Sequence, residues 1–125
     1  MAKAKVAIVD DHRDTRAMLK LALEEWYAVD TYDTAREAFE GFKKDRPDVV
    51  IADMLLSDSH GLELGTWMRA DPILRNVPVI AVSGMPYDPA TLPMEVIKFV
   101  QKPVNIEELA RTIDIVLHQG SKQSA

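Results

Sequence analysis

The chain has 125 residues, 47% of them hydrophobic, which is enough for one domain with a real core and too apolar for a disordered chain. A formal net charge of -5 and a pI near 5.1 argue against a nucleic-acid-binding domain, which needs a basic face. The absence of cysteine removes disulfides, thiol chemistry and cysteine zinc sites, and no apolar run approaches the roughly 20 residues of a membrane span. Met1-Ala2-Lys3-Ala4-Lys5 carries charge with no apolar signal region after it, so a cytoplasmic, soluble single domain is expected.

Residues 5–9 read as a first strand, because Val6-Ala7-Ile8-Val9 is a short apolar run of the kind buried parallel strands show. A first helix is predicted over about 12–25, with Asp11 or Asp14 near its start and Leu19, Ala22, Leu23 and Trp26 as its buried stripe. Residues 27–32 alternate weakly and read as an edge strand. A second helix follows at about 34–44, capped by Asp33 or Thr34, with Ala35, Ala38, Phe39 and Phe42 facing inward. Pro47 precedes a third strand at 48–52; a polar loop at 53–60 leads into a third helix at about 61–70, with His60 as its cap. Pro78 opens a fourth strand at 78–82, and a fifth is expected near 96–100.

Between the last two strands stand Pro86, Pro89 and Pro93. Proline costs about 3 kcal/mol inside a helix, so any helix there must be short, distorted or absent. The last helix is predicted at 105–118, with Asn105 as its cap and Ile106, Leu109, Ile113, Val116 and Leu117 as its core stripe. Gly120 is expected to end it, leaving residues 120–125 as a flexible tail after a domain at 3–119. Strands alternating with helices imply an α/β, doubly wound parallel sheet with helices on both faces.

Charged residues gather just past four of the apolar runs: Asp10 and Asp11, then Asp53, then Lys102 before Pro103. In an open parallel sheet, chemistry sits at the carboxyl ends of the strands. One pair of carboxylates at ~4 Å repels by about 4 kcal/mol at a surface-like dielectric. A divalent cation and the lysine ammonium would bring three carboxylates to zero formal charge. Each residue also has a plainer use: the Asp pair as caps of the first helix, Ser83 as a loop serine, Lys102 as a solvated lysine. Pro103 suggests a cis peptide, which would aim Lys102 into the pocket. The three histidines, His12, His60 and His118, read as structural or solvated, and no histidine spacing suggests zinc. Trp26, Trp67 and Met54 read as packing residues.

Taken together, Asp10-Asp11, Asp53, Ser83-Gly84 and Lys102-Pro103, with Arg16, Gly61, Leu64 and Arg69 in support, resemble the receiver (response regulator) domain of two-component signalling, from about residue 3 to 119. The resemblance implies a flavodoxin-like sheet of order 2-1-3-4-5. It implies Asp53 as the acceptor of a phosphoryl group from the phosphohistidine of a sensor histidine kinase or a histidine phosphotransfer protein. It implies Mg²⁺ (or Mn²⁺) held by Asp10, Asp11, Asp53 and the backbone carbonyl of Leu55. Ser83, Gly84 and Lys102 would bind the phosphoryl group, and Phe99 would take part in the switch that alters binding of a downstream protein effector. No direct nucleic-acid or membrane binding is expected, and no enzymatic role beyond the domain's own phosphorylation and dephosphorylation.

Four departures from the family pattern matter. Phe99 stands where many receivers carry Tyr, so one hydrogen-bonded readout is lost; Ser57 stands where Pro is frequent; the Gly-Ala pair often seen before the fifth strand is missing. Only 19 positions separate Ser83 from Lys102, about one helical turn short of the usual pattern, which makes the dimerisation mode of DNA-binding regulators doubtful. Leu55 and Met85 occupy the positions that border water access to the acyl phosphate; both are apolar, so slow self-dephosphorylation is expected. Two alternatives remain open. A phosphatase of haloacid dehalogenase type would need an Asp two positions after the nucleophile, where Leu55 stands. A phosphorylation-independent binding module would normally have lost a site residue, and none is lost.

Overall fold

The computed structural model describes residues 3–54, 61–84 and 96–124. Five strands, β1 (Lys5–Val9), β2 (Ala28–Tyr32), β3 (Val49–Asp53), β4 (Val79–Ser83) and β5 (Val96–Gln101), form one parallel sheet in the order β2-β1-β3-β4-β5. Four helices accompany them: α1 (Arg13–Leu23), α2 (Ala35–Lys44), α3 (Gly61–Ala70) and α4 (Ile106–Ser124). The doubly wound α/β architecture and strand order are those implied by the sequence. The expected fourth helix of the family, the loop after Asp53 and the His60 cap fall at positions outside the described residues.

The sheet separates two apolar layers by simple pleat alternation. Val6, Ile8, Val49, Ile51, Ile80, Val82 and Val100 pack on one face under Leu19 and Leu23 of α1 and Leu109, Ile113 and Val116 of α4. Ala7, Val9, Val50, Ala52 and Val79 face the other way, under Ala35, Ala38 and Phe42 of α2 and Leu64 and Met68 of α3. Every residue of β3 and β4 is buried, as a central parallel strand covered on both faces requires. The edge strand β2 buries only Val29 fully. The second layer is tight enough to exclude a methyl group: a Cβ on Gly41 would lie 2.6 Å from the Tyr32 ring.

Caps follow the expected chemistry at two helices. Thr34 Oγ1 accepts the Glu37 amide at 3.1 Å, and Asn105 Oδ1 accepts the Glu108 amide at 3.0 Å. Three expectations need correction. Helix α1 stops at Leu23, and Trp26, in the turn beyond it, is 53% exposed instead of continuing the buried stripe. Helix α4 runs through Gly120 to Ser124, so that glycine does not terminate it; an interior glycine costs a helix only about 1 kcal/mol. Finally, β3 and β4 each extend one residue further than predicted, so Asp53 and Ser83 are the last residues of their strands.

Candidate functional site

The pleat that builds the α1/α4 layer also aims the site. Asp10 continues the row Val6–Ile8, Asp53 continues Val49–Ile51, and Lys102 follows Val100 at the same two-residue period. Val9 pairs with Ala52, so Asp10 and Asp53 leave adjacent strands side by side. Lys102 is drawn to them by its backbone, whose amide donates to the Ser83 carbonyl at 2.8 Å, and the Lys102–Pro103 peptide is cis. All three side chains therefore emerge over an apolar floor of Leu19, Ile51, Val82 and Val104. Asp10, Asp53 and Ser83 are the buried polar or charged residues among those described, and all three lie at this edge.

The Lys102 ammonium donates to Asp53 Oδ2 at 2.9 Å and stands 3.6 Å from Asp10 Oδ2. Burial is the largest single influence on Lys102 and pulls its pKa down. The hydrogen bond to Asp53 and the charges of Asp10 and Asp53 together outweigh it and hold the pKa above the ordinary lysine value. Asp10 is fixed from several sides. Its amide donates to the Tyr32 carbonyl at 3.1 Å, its carbonyl accepts Arg16 Nη1 at 2.7 Å, and its Oδ1 accepts the His12 amide at 2.8 Å. The same Arg16 nitrogen reaches Asp33 Oδ1 at 3.2 Å, tying the loop after β1 to the loop after β2.

Neither aspartate of the pair is spent on capping α1. The N-cap is His12, whose side chain makes no capping hydrogen bond. Asp11 Oδ1 is instead a buried oxygen with no hydrogen-bond partner among the described residues. His12 Nδ1 lies 3.1 Å from it, but that approach lacks hydrogen-bond geometry. A buried carboxylate oxygen without a donor is costly, and a cation is what relieves it. Asp10, Asp11 and Asp53 against Lys102 leave two negative charges, the charge of one divalent ion. The donor set therefore fits a hard divalent metal.

Ser83 is buried at the end of β4, facing Gln101 in register, and Gly84 follows it in the open. Phe99, half-buried on β5, pairs with Ala81, one strand away from Asp53. Leu55 and Met85, assigned by sequence to metal ligation and water access, lie outside the described residues. His12 is what the sequence did not single out. Its imidazole joins Asp10, Asp11 and Asp53, with ligand atoms that all lie within 4.8 Å of one another. The signal that could have revealed it is the Asp10-x-His12 spacing, which lets Asp10 accept the His12 amide and fold the ring back.

The family model for the response regulator receiver domain matches residues 6–114. Among curated relatives, the sensory transduction protein LytT of Bacillus anthracis is 30% identical over 125 residues, covering 95% of this chain and 49% of LytT. The polar-differentiation response regulator DivK of Brucella anthropi is 28% identical over 116 residues, covering 86% of this chain and 91% of DivK. The chemotaxis response regulator CheY4 of Vibrio cholerae superposes with a TM-score of 0.83 at 27% identity, covering 92% of this chain and 99% of CheY4. The chain thus spans about half the length of LytT and most of the length of DivK and CheY4.

Proposed function

This chain belongs to the response regulator receiver family, and from that premise we propose that Asp53 accepts a phosphoryl group from the phosphohistidine of a sensor histidine kinase or a histidine phosphotransfer protein. Receiver domains are phosphorylation-activated signalling modules that work with such kinases and phosphotransfer proteins. The observation that carries the assignment is the placement of Asp53: buried at the end of a central strand, hydrogen-bonded to Lys102, and beside two further carboxylates.

A carboxylate is a weak nucleophile, so positioning and charge must supply the catalysis. A carboxylate oxygen of Asp53 attacks phosphorus, a P–O bond forms, the P–N bond to the donor histidine breaks, and its electron pair returns to that imidazole. Lys102, already poised on Asp53, exchanges this contact for an equatorial phosphoryl oxygen as charge develops there. Ser83 donates its hydroxyl to a second oxygen, and Gly84 leaves room for the group. Asp10, Asp11, Asp53 and the Leu55 carbonyl would hold Mg²⁺ (or Mn²⁺), which supplies charge neutralisation for the incoming phosphoryl group. Phe99 changes its packing when Ser83 moves toward the phosphoryl group, and the altered face around β5 is read by a downstream protein effector.

No described helix is long and apolar enough to cross a membrane, and we assign the domain to the cytoplasm, where sensor kinases present their phosphohistidine. The phosphatase alternative has no support among the relatives. The test is intact-mass measurement after exposure to a phosphorylated kinase or phosphotransfer domain with Mg²⁺. Wild type should gain one hydroxylamine-labile phosphoryl group and Asp53→Asn none. Equal labelling of the variant would place the phosphoryl group elsewhere.

A further inference from the structure

We propose that His12 is a ligand of the same metal ion, so that the site prefers nitrogen-accepting divalent ions such as Co²⁺ over Mg²⁺ more strongly than its carboxylates alone would make it. The inference deepens the metal assignment above and rests on it. Three observations carry it. His12 Nδ1 shares a hydrogen bond with Asp10 Oδ1 at 3.2 Å, a contact a metal ion would replace, and lies 3.1 Å from Asp11 Oδ1. Adjacent ligands of an octahedral ion with bonds near 2.1 Å are about 3.0 Å apart, so these two spacings match two edges of one coordination sphere. Asp11 Oδ1, the oxygen nearest the imidazole, is the buried atom left without a hydrogen-bond partner among the described residues. Finally, the ring sits at the N-cap of α1 and caps nothing.

The backbone holds it there. The His12 amide donates to Asp10 Oδ1 at 2.8 Å, and its carbonyl accepts the Arg16 amide at 3.0 Å. The residue is thus pinned on both sides while the imidazole, 68% exposed, stands at the mouth of the site. Lys102 meets the site through other atoms, the Oδ2 atoms of Asp10 and Asp53. The ammonium and the imidazole therefore do not compete for the same carboxylate atoms. Mg²⁺ is hard, takes oxygen and gains little from an imidazole, whereas ions later in the first row gain much. His12 accordingly sets metal selectivity while leaving Mg²⁺ binding to the carboxylates.

Calorimetric titration of Mg²⁺ and Co²⁺ into the metal-free chain tests this, with wild type, His12→Gln and His118→Gln compared. In His12→Gln the Co²⁺ affinity should fall about tenfold, the scale on which a residue at a metal site acts, while Mg²⁺ affinity changes less than about twofold. His118→Gln should match wild type, because His118 lies on α4 beside Asp114. The Co²⁺ visible spectrum gives a second readout: nitrogen ligation in the wild type should be replaced by an all-oxygen spectrum in His12→Gln. An unchanged Co²⁺/Mg²⁺ ratio, an equal fall for both ions, or an unchanged spectrum would overturn the role of His12. Normal Mg²⁺ binding in those cases would leave the metal assignment standing; no binding of either ion to wild type would overturn both.

Discussion

The interior of the sheet and its carboxyl edge are made of the same strands, yet they obey opposite rules. Along β1 and β3 the interior residues Val6, Ile8, Val49 and Ile51 are at most 2% exposed, and each meets an apolar neighbour across the layer. One step further along the same rows stand Asp10 and Asp53, also buried, at 4% and 6% exposed, but charged, with like charge beside them. The interior stabilises the fold; the edge gives some of that stability away in exchange for a place where a cation and a phosphoryl group can be held. The difference teaches that the apolar rows serve the site as rails. They fix where the carboxylates emerge, and the packing behind them keeps those carboxylates in place despite their repulsion.

Substitutions at the two regions should separate cleanly, and the largest contrast is between Asp53→Asn and Phe42→Ala. Asp53→Asn should abolish phosphoryl labelling and leave the melting temperature equal or higher, since one buried charge has gone. Phe42→Ala, in the α2 layer and fully buried, should cost about 3–5 kcal/mol of unfolding free energy. It should leave labelling of the folded fraction intact. Loss of labelling in Phe42→Ala at a temperature where circular dichroism shows it folded would blur the two regions and refute the contrast. Next in size is the metal itself. Mg²⁺ at 100 times its dissociation constant should raise stability by about 2.7 kcal/mol through mass action. Denaturant titrations with Mg²⁺ or chelator read this directly, and equal midpoints would remove the metal from the edge.

The interior was far more legible in the sequence than the edge. Short β-branched runs and helical stripes such as Ala35–Ala38–Phe42 identify buried elements because burial repeats with the period of the backbone. Asp10, Asp53 and Lys102 were legible for the same reason, as the charged ends of those runs. Periodicity fails where an element stops. Trp26 fits the stripe of α1 by spacing, but the helix ends at Leu23 and the ring turns out to solvent. Gly120 looks like a stop, yet α4 continues past it. His12 escaped because its place in the site depends on a local turn closed by the Asp10 carboxylate, which no periodic pattern encodes. Thr34 and Asn105, by contrast, are caps whose side-chain chemistry names them in advance.

A smaller effect sharpens the idea that the edge is strained without its cation. Asp11→Asn replaces a charge whose Oδ1 has no hydrogen-bond partner among the described residues. In chelator the variant should be more stable than wild type by about 1 kcal/mol, the repulsion being discounted for partial exposure. In Mg²⁺ the order should reverse, because the variant loses a ligand. A variant that melts below wild type in chelator would show that the Asp11 charge is already compensated.

The smallest expected effect concerns pH and belongs to the body of the domain. Tyr27 and Tyr32 both have raised pKa values, chiefly because burial disfavours the phenolate. The charge of Asp114 adds to this at Tyr27, and those of Asp30 and Asp45 add to it at Tyr32. Lys5 is raised as well, by its hydrogen bond to Asp45 and by that carboxylate's charge. A folded pKa above the unfolded one means that the native state keeps its proton where the unfolded chain has lost it. The stability is then complete below the unfolded value, near 10 for these groups. It is lost as pH rises through the folded value, because there the unfolded state binds fewer protons. Metal-free unfolding free energy should therefore hold level, as far as these groups are concerned, up to about pH 10 and decline beyond it. Tyr27→Phe should shallow that decline while changing stability at pH 7 by less than about 0.5 kcal/mol, since a half-buried ring keeps its packing. An alkaline limb equally steep in the variant would show that Tyr27 contributes nothing to it and would leave the loss to the other groups with raised pKa values, Tyr32, Lys5 and Lys102, the last held between Asp10 and Asp53.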